Sequence, residues 1–137
     1  MLEGNEAWKE DDDDPEYNAQ EIRQALDELL EARSKHDREH QLYIIKTGLR
    51  RDLGRMHRRE LWCHSYIGTK RLIERYTSTV IETIEQIVAD ALDRDNEAAM
   101  VLMQDLTEAR ANYGRTALCL SGGATLGMTH IGVCKAM

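Results

Sequence analysis

The 137-residue sequence predicts a mainly α chain: a helical region followed by the first strand, glycine loop and helix start of an incomplete α/β domain. Three observations predict it. Apolar residues recur with helical period from about residue 17 to residue 53 and again from about residue 69 to residue 113. A short, wholly apolar run at residues 116–120 then breaks that period, in the manner of a strand buried on both faces. That run opens onto a glycine-rich turn leading into a further helical pattern, which is how an α/β unit begins. One proline, nine glycines and no phenylalanine argue against collagen-like and all-β classes.

Residues 1–17 read as an acidic, flexible lead-in. The run Glu10 to Asp14, closed by Pro15, holds too little apolar surface to offset the entropy of ordering, and Trp8 is the single candidate anchor. Residues 18–114 read as the helical region. Ile22, Leu26, Leu29 and Leu30 share one face of a helix over 17–34. Leu42, Ile45, Leu49 and Leu53 predict a second helix that stops at Gly54, a residue suited to a C-cap. The periodicity breaks over 55–68, a basic stretch bearing Trp62, Cys63 and His64. Leu72, Ile73, Tyr76, Val80, Ile84, Ile87 and Val88 form the longest apolar stripe and predict a helix over 69–92. Met100, Met103, Leu106 and Ala109 predict a core face on a helix over 96–113, closed by Gly114. Residues 115–137 then read as the start of a second, incomplete domain.

The net charge of −7 is unevenly placed. Up to Glu21 there are nine acids against Lys9, a balance of −8; from Arg33 to Arg75 there are twelve Lys and Arg against five acids, a balance of +7. A basic middle can face an anionic membrane, or can be an ordinary solvated helix face. Nucleic acid is disfavoured, because the chain is acidic overall and carries no nucleic-acid motif. Three widely spaced cysteines, Cys63, Cys119 and Cys134, form no C-x-x-C pair and read as reduced thiols. The beginning, Met1-Leu2-Glu3-Gly4, lacks a signal peptide's basic start and apolar stretch, and no apolar run is long enough to span a bilayer. The cytoplasmic side is therefore the expected location.

The chemistry-bearing motif is Ser121-Gly122-Gly123-Ala124-Thr125-Leu126-Gly127. A glycine turn between strand and helix gathers unpaired N–H groups around an anion-sized hollow, for phosphate or for the oxyanion of acyl transfer. Phosphate fits poorly. Met128 stands where the P-loop needs Lys, and Ala124 occupies the second glycine of the dinucleotide fingerprint. For acyl transfer, the amides of Gly122, Gly123 and Ala124 would line the hollow, and Gly127 would shape the turn. A rival motif is His36-Asp-Arg-Glu39-His40, which matches the H-x-x-E-H zinc pattern if it lies on a helix, although no third ligand is evident.

The stretch from Arg115 to Met137, RTALCLSGGATLGMTHIGVCKAM, resembles the opening of the patatin-like phospholipase family in its triacylglycerol lipase branch. Upstream, His64 to Tyr76 (HSYIGTKRLIERY) resembles the helical region preceding that domain in fungal and plant members, and Gly4 to Lys9 resembles the fungal versions. The resemblance implies a cofactor-independent serine hydrolase of neutral lipid or phospholipid, peripheral to a lipid droplet or membrane. It places the oxyanion hole at Gly122, Gly123, Ala124 and, for the turn, Gly127. It also implies a Ser–Asp dyad in G-x-S-x-G and D-G-[GA] motifs, and neither motif is present: the serines are Ser34, Ser65, Ser78 and Ser121. Ala124 replaces the third glycine of the commoner pattern, and Leu126 stands where many patatins carry Arg. The sequence thus predicts an N-terminal fragment with no catalytic residue and no metal site, inactive by itself. The alternative is a non-catalytic helical module that binds a lipid surface or a protein partner through Arg50 to Arg75.

Overall fold

The computed structural model describes residues 3–65, 67–93, 96–114 and 129–136. Its elements, in order, are α1 (Glu3–Glu10), α2 (Ala19–Ser34), α3 (Arg38–Gly48), a 3-10 turn (Leu53–Arg55), α4 (Arg59–Cys63), α5 (Arg71–Leu92), α6 (Asn96–Tyr113) and α7 (Thr129–Ala136). No strand occurs among the described residues, and the strand expected over 116–120 lies outside them. The mainly α class is what the apolar period predicts.

α2 starts where the Asn18 side chain accepts the Glu21 N–H at 3.2 Å, satisfying one of the helix's orphan donors. It buries Ile22, Leu26, Leu29 and Ala32. At its end His36 takes a left-handed conformation (φ 53°), and the Asp37 N–H turns back to the Ala32 carbonyl at 3.1 Å. Asp37 caps α3 by accepting the His40 N–H at 3.0 Å. Buried Gln41 locks this corner by donating from Nε2 to the Ala32 carbonyl at 3.1 Å.

α3 ends at Gly48, six residues before the expected stop at Gly54. Tertiary packing overrides the continued period. Gly54 sits against α2 at φ +55°, its carbonyl accepting the Asn18 N–H at 2.8 Å. A Cβ on Gly54 would lie 2.7 Å from Ile22 Cγ1, so only glycine allows this approach. The stretch expected to be irregular contains the short helix α4, which buries Leu61.

α5 packs on α2 and α6, and α3 packs on α2 and α6. Two adjoining apolar clusters result. One joins Ile22, Leu26 and Leu29 of α2 to Ile73, Tyr76 and Val80 of α5; the other joins Ile45 of α3 to Ile87 of α5 and Leu102 of α6. Each fully buried aliphatic side chain contributes about 1.5–3 kcal/mol. Thr79 and Thr83, also buried on α5, donate to carbonyls one turn back, at 2.8 and 2.6 Å, and so stay satisfied inside the core. Ion pairs bind the outer rims: Arg33 to Glu82 at 3.1 Å, and Lys46 to Asp105 at 2.6 Å.

The core face expected for α6 needs correction. Leu102 and Ala109 are buried, whereas Met100 and Met103 are 74% and 67% exposed. Leu102, Leu106 and Ala109 follow the helical period against α3 and α5, and the two methionines fall on the neighbouring face.

Candidate functional site

Three parts of the sequence meet at the start of α5: α1, the acidic stretch after it, and the loop residues 65 and 67–70. The loop is held by its own polar groups. Ser65 Oγ lies 3.0 Å from the Ile67 carbonyl and 2.9 Å from that of Gly68, donating to this pair of acceptors. Thr69 Oγ1 donates to the Leu61 carbonyl at 3.0 Å. Gly68 takes φ +79°, which lets the Glu74 carboxylate reach back to the Thr69 N–H at 3.0 Å; a Cβ on Gly68 would stand 2.1 Å from Glu74 Oε1.

This geometry drives Lys70 fully into the interior. Its ammonium donates to the carbonyls of Trp8 and Asp11, each at 2.8 Å, and pairs with Asp14 Oδ2 at 3.0 Å. It also lies 4.2 Å from the centre of the Trp8 ring. Three donors thus meet three acceptors beneath an aromatic face, the condition under which a buried lysine is tolerated. Burial raises the Asp14 carboxyl, but the Glu16 N–H and the Lys70 ammonium together outweigh it and hold Asp14 below its ordinary value. Tyr17 donates to Asp12 at 2.8 Å; burial first, then that acceptor, pushes its phenol upward. Trp8 stacks on His64 with centroids 4.1 Å apart, and buried Lys9 donates to the Ile67 carbonyl at 2.8 Å.

The acidic lead-in is therefore structured in part: α1 and the turn after it cover the start of α5. Trp8 is the anchor expected from sequence. Lys70 as its partner carries no sequence signal beyond a cation placed just ahead of an apolar period.

Around this clasp the basic stretch is partly paired. Arg71 meets Glu6 at 2.7 Å, Glu10 at 3.5 Å and Glu74 at 3.0 Å. Arg58 meets Glu16 at 2.7 Å, Arg50 meets Glu21 at 3.7 Å, and Arg23 pairs with Asp12. Arg51, Arg55, Arg59 and Arg75 are exposed and make no ion pair among the described residues.

The oxyanion candidates Gly122, Gly123, Ala124 and Gly127 lie outside the described residues, whereas α7 forms where the sequence expects a helix after that turn. Ser34 and Ser65 direct their hydroxyls to backbone carbonyls, and Ser78 is exposed on α5. The zinc pattern fails on backbone grounds. His36 stands in the left-handed turn between α2 and α3, while His40 lies on α3 beside Glu28 at 3.6 Å. Among the described residues no group of three or more His, Cys, Asp or Glu is placed to hold a metal, and no helix is long and apolar enough to cross a membrane. An exposed apolar hollow between α5 and α6, lined by Val88, Leu92, Met100 and Met103, carries no sequence signal of its own, because the methionines fit a core period equally well.

A family model described as a domain of unknown function, DUF3336, matches residues 1–108. Triacylglycerol lipase 5 of Saccharomyces cerevisiae is 35% identical over 99% of this chain and 18% of its own length. Triacylglycerol lipase 4 of the same yeast is 37% identical over 96% of this chain and 14% of its own length. A patatin-like phospholipase domain-containing protein of Chaetomium globosum is 29% identical over 98% of this chain and 17% of its own length. The chain thus spans less than a fifth of each of these relatives. No solved structure matches it.

Proposed function

Because the chain belongs to the DUF3336 family, and is similar over its length to fungal triacylglycerol lipases, we propose that it forms the N-terminal part of a patatin-like lipid acyl hydrolase. Residues 1–17 are the acidic lead-in, 18–114 the accessory helical region, and 115–137 the start of the hydrolase domain. The observation that carries the reading is the similarity over 99% of the chain to a protein named as a triacylglycerol lipase, a span that includes the glycine turn.

In this reading a serine of the whole protein, C-terminal to Met137, attacks the ester carbonyl of a neutral glycerolipid or phospholipid. The carbonyl oxygen takes up the negative charge as the carbon becomes tetrahedral. Amides at Gly122, Gly123 and Ala124 donate to that oxygen, and Gly127 lets the turn close. The serine proton passes to the dyad aspartate and from it to the departing alcohol as the intermediate collapses to an acyl-enzyme, which water then hydrolyses. The exposed Arg51, Arg55, Arg59 and Arg75 face the lipid surface, where each cation near an anionic leaflet contributes about 1 kcal/mol.

A nitrophenyl ester assay tests the division of labour. The 137-residue chain should show no turnover, and a polypeptide that continues it in frame through a G-x-S-x-G elbow and its aspartate should hydrolyse the ester. Turnover by the 137-residue chain that survives repurification would refute this assignment, since binding groups without a nucleophile retain only a small part of catalysis.

A further inference from the structure

Part of the basic segment is already paired from within, at Arg58 and Arg71. We propose that the acidic stretch from Glu6 to Glu16 is an internal electrostatic cover, whose carboxylates hold Arg58 and Arg71 where an anionic lipid surface would otherwise engage them. The inference deepens the lipid-surface reading above and rests on it.

Two classes of contact make the cover both attached and displaceable. Its attachment is buried: Lys70 is enclosed by the Trp8 and Asp11 carbonyls, the Asp14 carboxylate and the Trp8 ring, and Lys9 is fixed to the Ile67 carbonyl. Its rim is exposed. Glu6, Glu10 and Glu16 have side chains 57%, 71% and 40% exposed, and their partners Arg71 and Arg58 are 48% and 45% exposed. Exposed pairs of this kind are weak and screened by salt, so a surface carrying many anions competes with them effectively. The free Arg51, Arg55, Arg59 and Arg75 lie in the same segment as Arg58 and Arg71 and give such a surface its first contact. Glu6, Glu10 and Glu16 are thus the internal counterparts of lipid anions, and the buried lysine keeps them close at hand.

The test measures binding of the 137-residue chain to phosphatidylcholine vesicles containing phosphatidylserine, against phosphatidylcholine alone. Glu6→Gln/Glu10→Gln/Glu16→Gln frees Arg58 entirely and leaves Arg71 with Glu74, while Lys70 and its partners stay intact. Affinity for phosphatidylserine vesicles should rise by at least about fivefold, from the release of Arg58, and stay below about 30-fold, because Arg71 keeps Glu74. The control Glu85→Gln/Asp93→Asn/Glu97→Gln makes the same change of net charge with exposed acids that form no ion pair among the described residues, and should rise far less. Glu16→Gln alone, which frees only Arg58, should give about fivefold. Circular dichroism checks that each variant keeps its helices. Equal rises in the cover and control variants would overturn the cover and leave lipid contact standing. If Arg51, Arg55, Arg59 and Arg75 changed to Glu leave binding of the cover variant unaltered, the basic-face reading itself fails. No binding by the wild type or the cover variant would remove both.

Discussion

Lys70→Met removes the ammonium and keeps an apolar stem of similar length. It leaves the Asp14 carboxylate, the Trp8 carbonyl and the Asp11 carbonyl without their shared donor. Removing one partner of a buried ion pair costs about 3–5 kcal/mol. The lower end applies, because Asp14 keeps a hydrogen bond from the Glu16 N–H at 2.9 Å and has a side chain 12% exposed. With an unfolding entropy of about 2.1 cal/mol/K per residue, a loss of about 3 kcal/mol lowers the melting temperature by about 10 °C. Urea titration and thermal melts followed by circular dichroism measure both quantities. Combining Lys70→Met with Asp14→Asn should cost about 1–2 kcal/mol less than the sum of the single changes, because each removes the other's reason for being charged. A Lys70→Met chain within about 0.5 kcal/mol of wild type would refute the view that this lysine organises the start of α5.

The same pair has an acid signature. The Asp14 carboxyl is held below its ordinary value in the fold, so it releases its proton more readily there than in the unfolded chain. Its contribution is present above the ordinary carboxylate value and is lost as pH falls through the lower folded one. Wild type should therefore lose stability below about pH 4 more steeply than Asp14→Asn, and matching acid limbs would show that the pairing contributes nothing. Two further substitutions probe the fold and the proposed chemistry. Gly54→Ala forces a Cβ at φ +55° to within 2.7 Å of Ile22 Cγ1 and 2.8 Å of the Asn18 carbonyl. It should destabilise by about 3 kcal/mol in a urea titration, and a loss below about 1 kcal/mol would show that the turn relaxes freely. In the whole protein, Gly123→Val should lower ester turnover by about 100-fold or more with helicity unchanged, and near-normal turnover would make the loop a packing turn only.

Legibility from sequence follows the strength of the period. α5 carries seven apolar residues on one stripe and begins and ends within two residues of its expected bounds; α6 matches its bounds over 96–113. The face of α6 differs from the expected one because methionine serves core and surface equally, so the period alone gives no preference between Leu102 and Met103. α3 stops early for a reason that no local rule contains: Leu53 and Gly54 are taken up by packing under α2. The zinc pattern misleads for a related reason. His36, a residue without glycine's freedom, adopts the left-handed turn that a regular helix excludes. The glycine turn lies outside the described residues and its chemistry rests on the motif alone, whereas the family resemblance read from the sequence is borne out by similarity across the chain.

Along the sequence, the opposed charges of the two stretches look like a solvated acidic tail and a separate basic helix face. In the fold they meet. Ordering the lead-in costs about 1–2 kcal/mol for each backbone residue fixed, and the exposed pairs at Arg58 and Arg71 are too weak to offset that over a dozen residues. The difference must come from groups removed from water. Trp8 packs against the core and Tyr17 is buried, while the acceptors around Lys9 and Lys70 offset the cost of taking those two side chains out of water. Buried contacts therefore decide that the acidic stretch lies on the basic one, while the exposed pairs decide only how readily its rim yields. On that division a change of salt should loosen Glu6, Glu10 and Glu16 from their arginines and leave Trp8 over Lys70.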